Sequence, residues 1–288
     1  MRSHEEMLQL ILDRAAGDER IRAVTMEGSR ANRNALHDRY SDFDICYIVT
    51  DVREFTRDRG WINDFGELLI AQYPNDWFDH PYDYSSHDTF VCLLQFADGN
   101  RIDLSLIDVR NIAHEAQNDE PRIVLMNKDH FPELFPVTGE EAYYIRRPSE
   151  KEYLDTCNEF RWLSVYITKG LCRRELYYAK RSYDILSMAM FIKMLNWRVA
   201  VDHDFQVTTG GSSKYLKRFL PPEEMERFQN IFPDGRYEDI WEKLFNMYDY
   251  FAENAQYVAS RLGYLFDGWE TQRVRAFLSR RRAEDAQG

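Results

Sequence analysis

The sequence predicts an α+β protein in two parts, an N-terminal domain of strands with flanking helices and a C-terminal domain that is entirely a helical bundle. Short β-branched and apolar runs bounded by turn residues recur as far as Ile107. From Pro148 onward, apolar residues repeat at helical spacing almost without a break. The change falls between Tyr143 and Ser149, and Ser149-x-x-Glu152 has the form of a capping box that opens a helix. We therefore expect domains at 1–146 and 147–288, and 288 residues suffice for two cores of ordinary size.

Taken in order, Ser3-x-x-Glu6 is another capping box, and Met7, Leu8, Ile11, Leu12 and Ala15 continue at helical spacing, so a helix is predicted over 4–16. Ile21 to Met26 (IRAVTM) reads as a strand that Gly28-Ser29 interrupts. Asp42 to Val49 (DFDICYIV) alternates like a second strand. Trp61, Phe65, Leu68 and Leu69 suggest an amphipathic helix, followed by a long loop from Pro74 to Asp88. Thr89–Phe96 and Arg101–Ile107 read as a hairpin closed by Asp98-Gly99. The second half gives helices at 150–172, 175–201, 222–231, 237–262 and 270–284.

Composition narrows the partners. Forty-four per cent hydrophobic residues, with 18 Tyr and 18 Phe, belong to a folded chain. A formal charge of 37 − 49 = −12 disfavours nucleic-acid backbones and favours cationic ligands. The N-terminus lacks the pattern of a secretory signal, and nowhere do about 18 apolar residues run together, so the expected location is the cytoplasm, with no membrane partner. Cys46, Cys92, Cys157 and Cys172 are far apart, without zinc-site spacing, and are expected as buried free thiols.

Chemistry concentrates first at Glu27-Gly28-Ser29-Arg30. A turn without a Cβ at Gly28 lets an anion approach the main chain, the Ser29 hydroxyl adds a donor, and Arg30 and Arg33 add charge. Asp42 and Asp44 share one face of their strand, where two carboxylates repel unless a cation lies between them. Hard oxygen donors of this kind suit Mg²⁺ bridged to phosphates. Asp103, a lone carboxylate on the next hairpin, is read as the third metal ligand. In the second half, Asp155, Glu159, Trp162, Tyr166 and Lys169 fall on one helical stripe that mixes charge with flat rings. That mixture suits a wall facing a ligand, with Lys169 able to meet phosphate. Gly210-Gly211-Ser212-Ser213-Lys214 lacks the frame of a P-loop, although Lys214 can still reach a phosphate. Asp202-His203-Asp204 is read as a polar loop ending a helix. No Gly-x-Ser-x-Gly, H-E-x-x-H or G-x-G-x-x-G motif is present.

Gly28-Ser29, Asp42-x-Asp44 and the later strand aspartate Asp103, in this order, resemble the nucleotidyltransferase superfamily. The strings DERIRAVTMEGSRANRN, SDFDICYIVTDV, DGNRIDLSLI, RRPSEKEYLDTCNEF and VYITKGL resemble, across most of the chain, the aminoglycoside 6-adenylyltransferases of streptomycin resistance. Arg161, where that family usually has an aromatic, and Gly211, where it usually has a lysine, depart from the pattern. The resemblance implies a nucleotidyltransferase domain with a mixed sheet, a helical bundle, and an ATP and substrate cleft between them. It implies ATP as co-substrate, a cationic aminoglycoside, streptomycin foremost, as acceptor, and two Mg²⁺ ions. Asp42 and Asp44 would hold one ion and be joined by Asp103 on the other, while Gly28, Ser29, Arg30, Arg33, Tyr166, Lys169 and Lys214 would serve the nucleotide. Asp155, Glu159 and Trp162 would serve the acceptor, with Glu159 either a general base or a partner of its cationic groups. Transfer to another small alcohol, a protein or RNA, and a catalytically silent module, are the alternatives.

Overall fold

Residues 1–115, 117 and 119–286 are described by the structure, a computed structural model. The chain divides into two units, Met1–Ala142 and Tyr143–Gly288. The final two residues of the second predicted domain lie outside the described residues.

In the first unit, α1 (His4–Gly17) starts at the capping box: the Glu6 N–H donates to Ser3 Oγ at 3.2 Å, and the Ser3 N–H to Glu6 Oε2 at 2.6 Å. Its buried stripe is Met7, Ile11 and Ala15. The strands are β1 (Ile21–Met26), β2 (Phe43–Val49), β3 (Leu68–Gln72), β4 (Phe90–Phe96), β5 (Arg101–Asp108) and β6 (Ile123–Asn127). They form one sheet in the order β3-β4-β5-β2-β1-β6, in which β2 and β5 run parallel and every other neighbour runs antiparallel. The sheet is thus mixed, as the family resemblance implied.

Alternation assigns the two faces. Phe43, Ile45, Tyr47 and Val49 of β2 and Ile102, Leu104 and Leu106 of β5 join the core that also contains the α1 stripe. The Tyr47 hydroxyl, buried there, donates to Ile11 O at 2.6 Å. On the opposite face, Cys46, Ile48 and Ile107 pack with Ala23, Ile112 and Leu134 in a smaller cluster. Asp44 and Asp103 belong to this second face, two residues before Cys46 and four before Ile107, where the apolar cover stops.

One expected helix is corrected. Trp61–Leu69 is not an amphipathic helix: Gly60–Phe65 is a 3₁₀ turn burying Ile62 and Phe65, and Leu68 opens β3, which pairs with β4. Four apolar positions over nine residues fit either period, and the free edge of β4 decided the outcome. The helix α3 (Val52–Arg57), whose N–H of Arg53 is capped by Asp51, the one-turn helix α4 (Ile112–Glu115) and the edge strand β6 had no clear sequence pattern.

In the second unit, α5 (Glu150–Cys172) and α9 (Tyr237–Leu262) begin and end where the sequence places them. Their faces meet in a core where Phe160 and Phe251 stack with ring centroids 3.8 Å apart. The segment expected as one helix over 175–201 is α6 (Leu176–Arg181) and α7 (Met188–Val201), joined by a π-helical stretch at Ser182–Ser187. Tyr183, fully buried in that stretch, shares its hydroxyl proton between Ile231 O at 2.7 Å and Lys243 O at 2.9 Å. The bundle is completed by α8 (Pro222–Gln229) and α10 (Gly268–Asp285). Cys46, Cys92 and Cys157 are buried thiols outside any disulfide; Cys172, contrary to expectation, is a thiol exposed at the end of α5. Among the described residues no helix is long and apolar enough to cross a membrane.

Replacing Tyr183 by Phe removes the donor from the buried Ile231 carbonyl and the half-buried Lys243 carbonyl. We expect a loss of about 1–3 kcal/mol in the urea denaturation of the full chain.

Candidate active site

The turn after β1 is set by the need to pass Asp44. Gly28 has φ +63°, and a Cβ added there would lie 2.1 Å from Asp44 Oδ2. Only a glycine fits. The single helical turn Gly28–Ala31 (α2) follows, and its first N–H groups lack intrahelical acceptors. Three residues, Asp44, Arg122 and Arg30, brace this turn. The Glu27 N–H donates to Asp44 O at 2.9 Å, and the Glu27 carboxylate accepts from Arg122 Nε at 3.0 Å, with Arg122 only 2 % exposed. Arg30, expected to meet phosphate, donates instead to Asp42 O at 3.0 Å and Ser41 O at 2.6 Å, with its guanidinium 3.9 Å from the centre of the Phe43 ring. Ser29 is half-buried in the turn, and Arg33 is fully at the surface.

Asp44 and Asp103 are register partners on the parallel pair β2–β5, so their side chains leave the sheet side by side. Asp42 precedes β2 by one residue. Burial, then the charges of Asp103 and Asp42, push the Asp44 carboxyl up to about 6. Asp44 and Asp103 side by side, with Gly28 against Asp44 and Asp42 near the Arg101 that holds Asp103, offer the hard oxygen donors that suit Mg²⁺.

A cation already stands there. Arg101, at the first position of β5, was passed over in the sequence. Its guanidinium grips Asp103 with both prongs, Nε to Oδ1 and Nη2 to Oδ2 at 2.7 Å each, and Nη1 lies 3.8 Å from Asp42 Oδ2. Arg101 and Asp103 are two residues apart on one strand face, a spacing visible in the sequence once Asp103 is singled out.

Among the described residues, the trio whose possible ligand atoms all lie within 4.8 Å is a different one: Asp51, His87 and the fully buried Asp108. It is already neutralised, because Arg53 pairs with Asp51 at 2.6 Å, and Arg110 donates twice to Asp108 at 2.6 Å and lies against both ring nitrogens of His87. It braces the start of α3, where the Val52 N–H donates to Asp108.

A family model described as streptomycin adenylyltransferase matches residues 1–281. The chain belongs to that family. It is 35 % identical over 271 residues to an aminoglycoside 6-adenylyltransferase of Bacillus subtilis, covering 94 % of this chain and 95 % of the relative. Over 266 residues it is 33 % identical to one of Campylobacter jejuni, covering 92 % and 91 %. A crystal structure of the aminoglycoside 6-adenyltransferase from Bacillus subtilis aligns over 98 % of this chain and 99 % of its own, at 30 % identity and a TM-score of 0.49.

Family membership directs attention to the α5 stripe. Asp155, Glu159, Trp162 and Lys169 are exposed, and Tyr166 is half-buried. Asp155 accepts from Lys151 at 2.7 Å; Trp162 meets Tyr166 edge-on with centroids 6.0 Å apart, and Lys169 Nζ lies 5.7 Å from the Tyr166 centroid. A tryptophan 56 % exposed among charges has little to do with the core of its own unit. Lys214 is exposed after a turn in which Ser212 and Ser213 both take positive φ, held by Asn196, which bonds Ser213 Oγ and Thr209 Oγ1. Asp202 and His203 point to different partners, Tyr257 and Val199 O, as a helix-ending loop requires. Arg161, the departure from the family pattern, is buried and ties α5 to α10 through Glu270 at 2.8 Å.

Two outcomes are expected. Gly28→Ala forces an unfavourable φ and a collision with Asp44, and should destabilise the chain by about 2 kcal/mol or more in urea titration. Asp44 has a raised pKa, so between about pH 4 and 6 this carboxyl holds its proton more fully in the folded chain than in the unfolded one, and its contribution to stability falls as pH rises. Without metal, Asp44→Asn should match the parent near pH 4 and exceed its stability above pH 6 by on the order of 2 kcal/mol.

Proposed function

We propose that this chain transfers AMP from ATP to a hydroxyl of streptomycin with release of pyrophosphate, acting in the cytoplasm and conferring resistance to the antibiotic. The observation that carries the reading is the side-by-side placement of Asp44 and Asp103 next to the Gly28 turn, in a chain of this family.

In this reading Asp42, Asp44 and Asp103 hold two Mg²⁺ ions. Bound Mg²⁺ supplies charge neutralisation for the triphosphate and the departing pyrophosphate. The main-chain N–H groups from Gly28 onward and the Ser29 hydroxyl bind the anionic phosphates, while Arg30 keeps the turn in place by holding the carbonyls of Ser41 and Asp42. Lys169 and Lys214 add positive charge for the nucleotide, and Tyr166 a flat face; Arg33 contributes its charge from the surface. Asp155 and Trp162 receive the acceptor, whose guanidino groups suit a chain of net charge −12. Glu159 takes the proton from the attacking hydroxyl, which is scarcely ionised at neutral pH. Positioning of that oxygen in line with the α-phosphorus accounts for the remainder, since little covalent help is needed.

The test is incubation with labelled ATP, Mg²⁺ and a panel of aminoglycosides, with mass spectrometry of the products. Streptomycin carrying one added AMP is the expected result; pyrophosphate release with another acceptor alone would replace the substrate and keep the class. Glu159→Gln should lower kcat by about 100-fold or more with KM little changed, and an unchanged kcat with raised KM would reassign Glu159 to acceptor binding.

A further inference from the structure

We infer that Arg101 is the resident counter-ion of the carboxylate trio, a guanidinium that must leave Asp103 before a divalent cation can bind. The inference rests on the metal-binding reading of Asp42, Asp44 and Asp103 given above.

Three features carry it. The Arg101 fork takes a lone pair on both oxygens of Asp103, at 2.7 Å each, so while the pair is closed a metal would have to share those oxygens with a guanidinium and face its charge. Its third nitrogen is 3.8 Å from Asp42 Oδ2, which spreads its charge over two of the three carboxylates. The pair is also able to open: the Arg101 side chain is 38 % exposed and Asp103 23 %, unlike Arg122 on Glu27, where the arginine is 2 % exposed. A half-exposed ion pair is held loosely enough to exchange partners, whereas a buried one is not.

The physical logic follows from like charge. Asp44 and Asp103 emerge side by side, and without a cation their repulsion would work against the β2–β5 pairing. Arg101 lowers that repulsion in the metal-free chain, and a divalent ion with twice the charge replaces it. Because the incoming ion must displace the fork from Asp103, free metal binds more weakly than three preorganised carboxylates would allow. A metal arriving with phosphates faces a smaller barrier, since the released guanidinium then has anionic oxygens to meet. Arg101 thereby favours the metal–nucleotide complex over the bare ion.

Arg101 acts on the metal through Asp103, so the test reads the metal directly. Mn²⁺ binding to the full chain, without nucleotide, is measured by electron paramagnetic resonance for the parent, Arg101→Met and Arg101→Lys. We expect Arg101→Met to bind Mn²⁺ roughly three- to thirty-fold tighter than the parent, with Arg101→Lys in between because it keeps the charge and loses the fork. Thermal denaturation without metal should show Arg101→Met less stable than the parent, and Mn²⁺ should restore more stability to the variant. Equal or weaker Mn²⁺ binding by folded Arg101→Met overturns the inference and leaves the metal-binding reading standing. Arg101→Lys, which retains a cation on the same strand, supplies the comparison should Arg101→Met fail to fold, and Mn²⁺ binding by Arg101→Lys no tighter than the parent's then overturns it. No Mn²⁺ binding by parent or variants overturns both.

Discussion

The repulsion between two carboxylates on adjacent parallel strands is the constraint around which the first unit is built. Asp44 and Asp103 are paired by register rather than by chance contact, since β2 and β5 share a continuous ladder from Phe43–Ile102 to Val49–Asp108. The apolar members of that ladder lock the strands together on the other face, and the locked strands cannot move the two acids apart. Stability is thus drawn from one side of the sheet and spent on the other, as is common where a site needs groups that would not choose to be neighbours.

The neighbourhood answers this constraint with arginines in distinct settings. Arg122 is buried on Glu27 and fixes the turn; Arg30 is held by carbonyls and the Phe43 ring; Arg101 lies on the acids themselves with part of its side chain in solvent. The difference lies in exposure and in partner. Arg122, itself buried, and Arg30, held by carbonyls, have nowhere else to go, whereas the partly exposed Arg101 on Asp103 is free to exchange.

Much of this was legible in the sequence, for local reasons. Capping boxes at Ser3 and Ser149 mark helix starts because the bonds that define them span three residues. Asp98-Gly99 marks the hairpin, and period-two alternation places Asp44 and Asp103 on faces of their strands. What was not legible depends on distant residues. Leu68 and Leu69 became a strand because β4 offered an edge, and the Arg122–Glu27 pair spans 95 positions. Arg101 left no signal of its own: an arginine opening a strand is ordinary until the aspartate two residues later acquires a role. That the α5 stripe lies on one helix was legible, because helical spacing alone sets it.

The parallel pairing of β2 with β5 also bears on how the chain reaches its fold. β1 and β2 are neighbours in sequence and can pair as soon as both exist, but β5 begins more than fifty residues later and must insert beside β2 after α3, β3 and β4 have been made. Contacts of such long sequence separation form late, because the intervening chain must be ordered first. During synthesis the edge of β2 therefore waits unpaired, with Asp44 on the strand and Asp42 just before it, and charged side chains on and beside an open strand discourage it from joining another copy. The same acids that burden the finished sheet protect the unfinished one from aggregation.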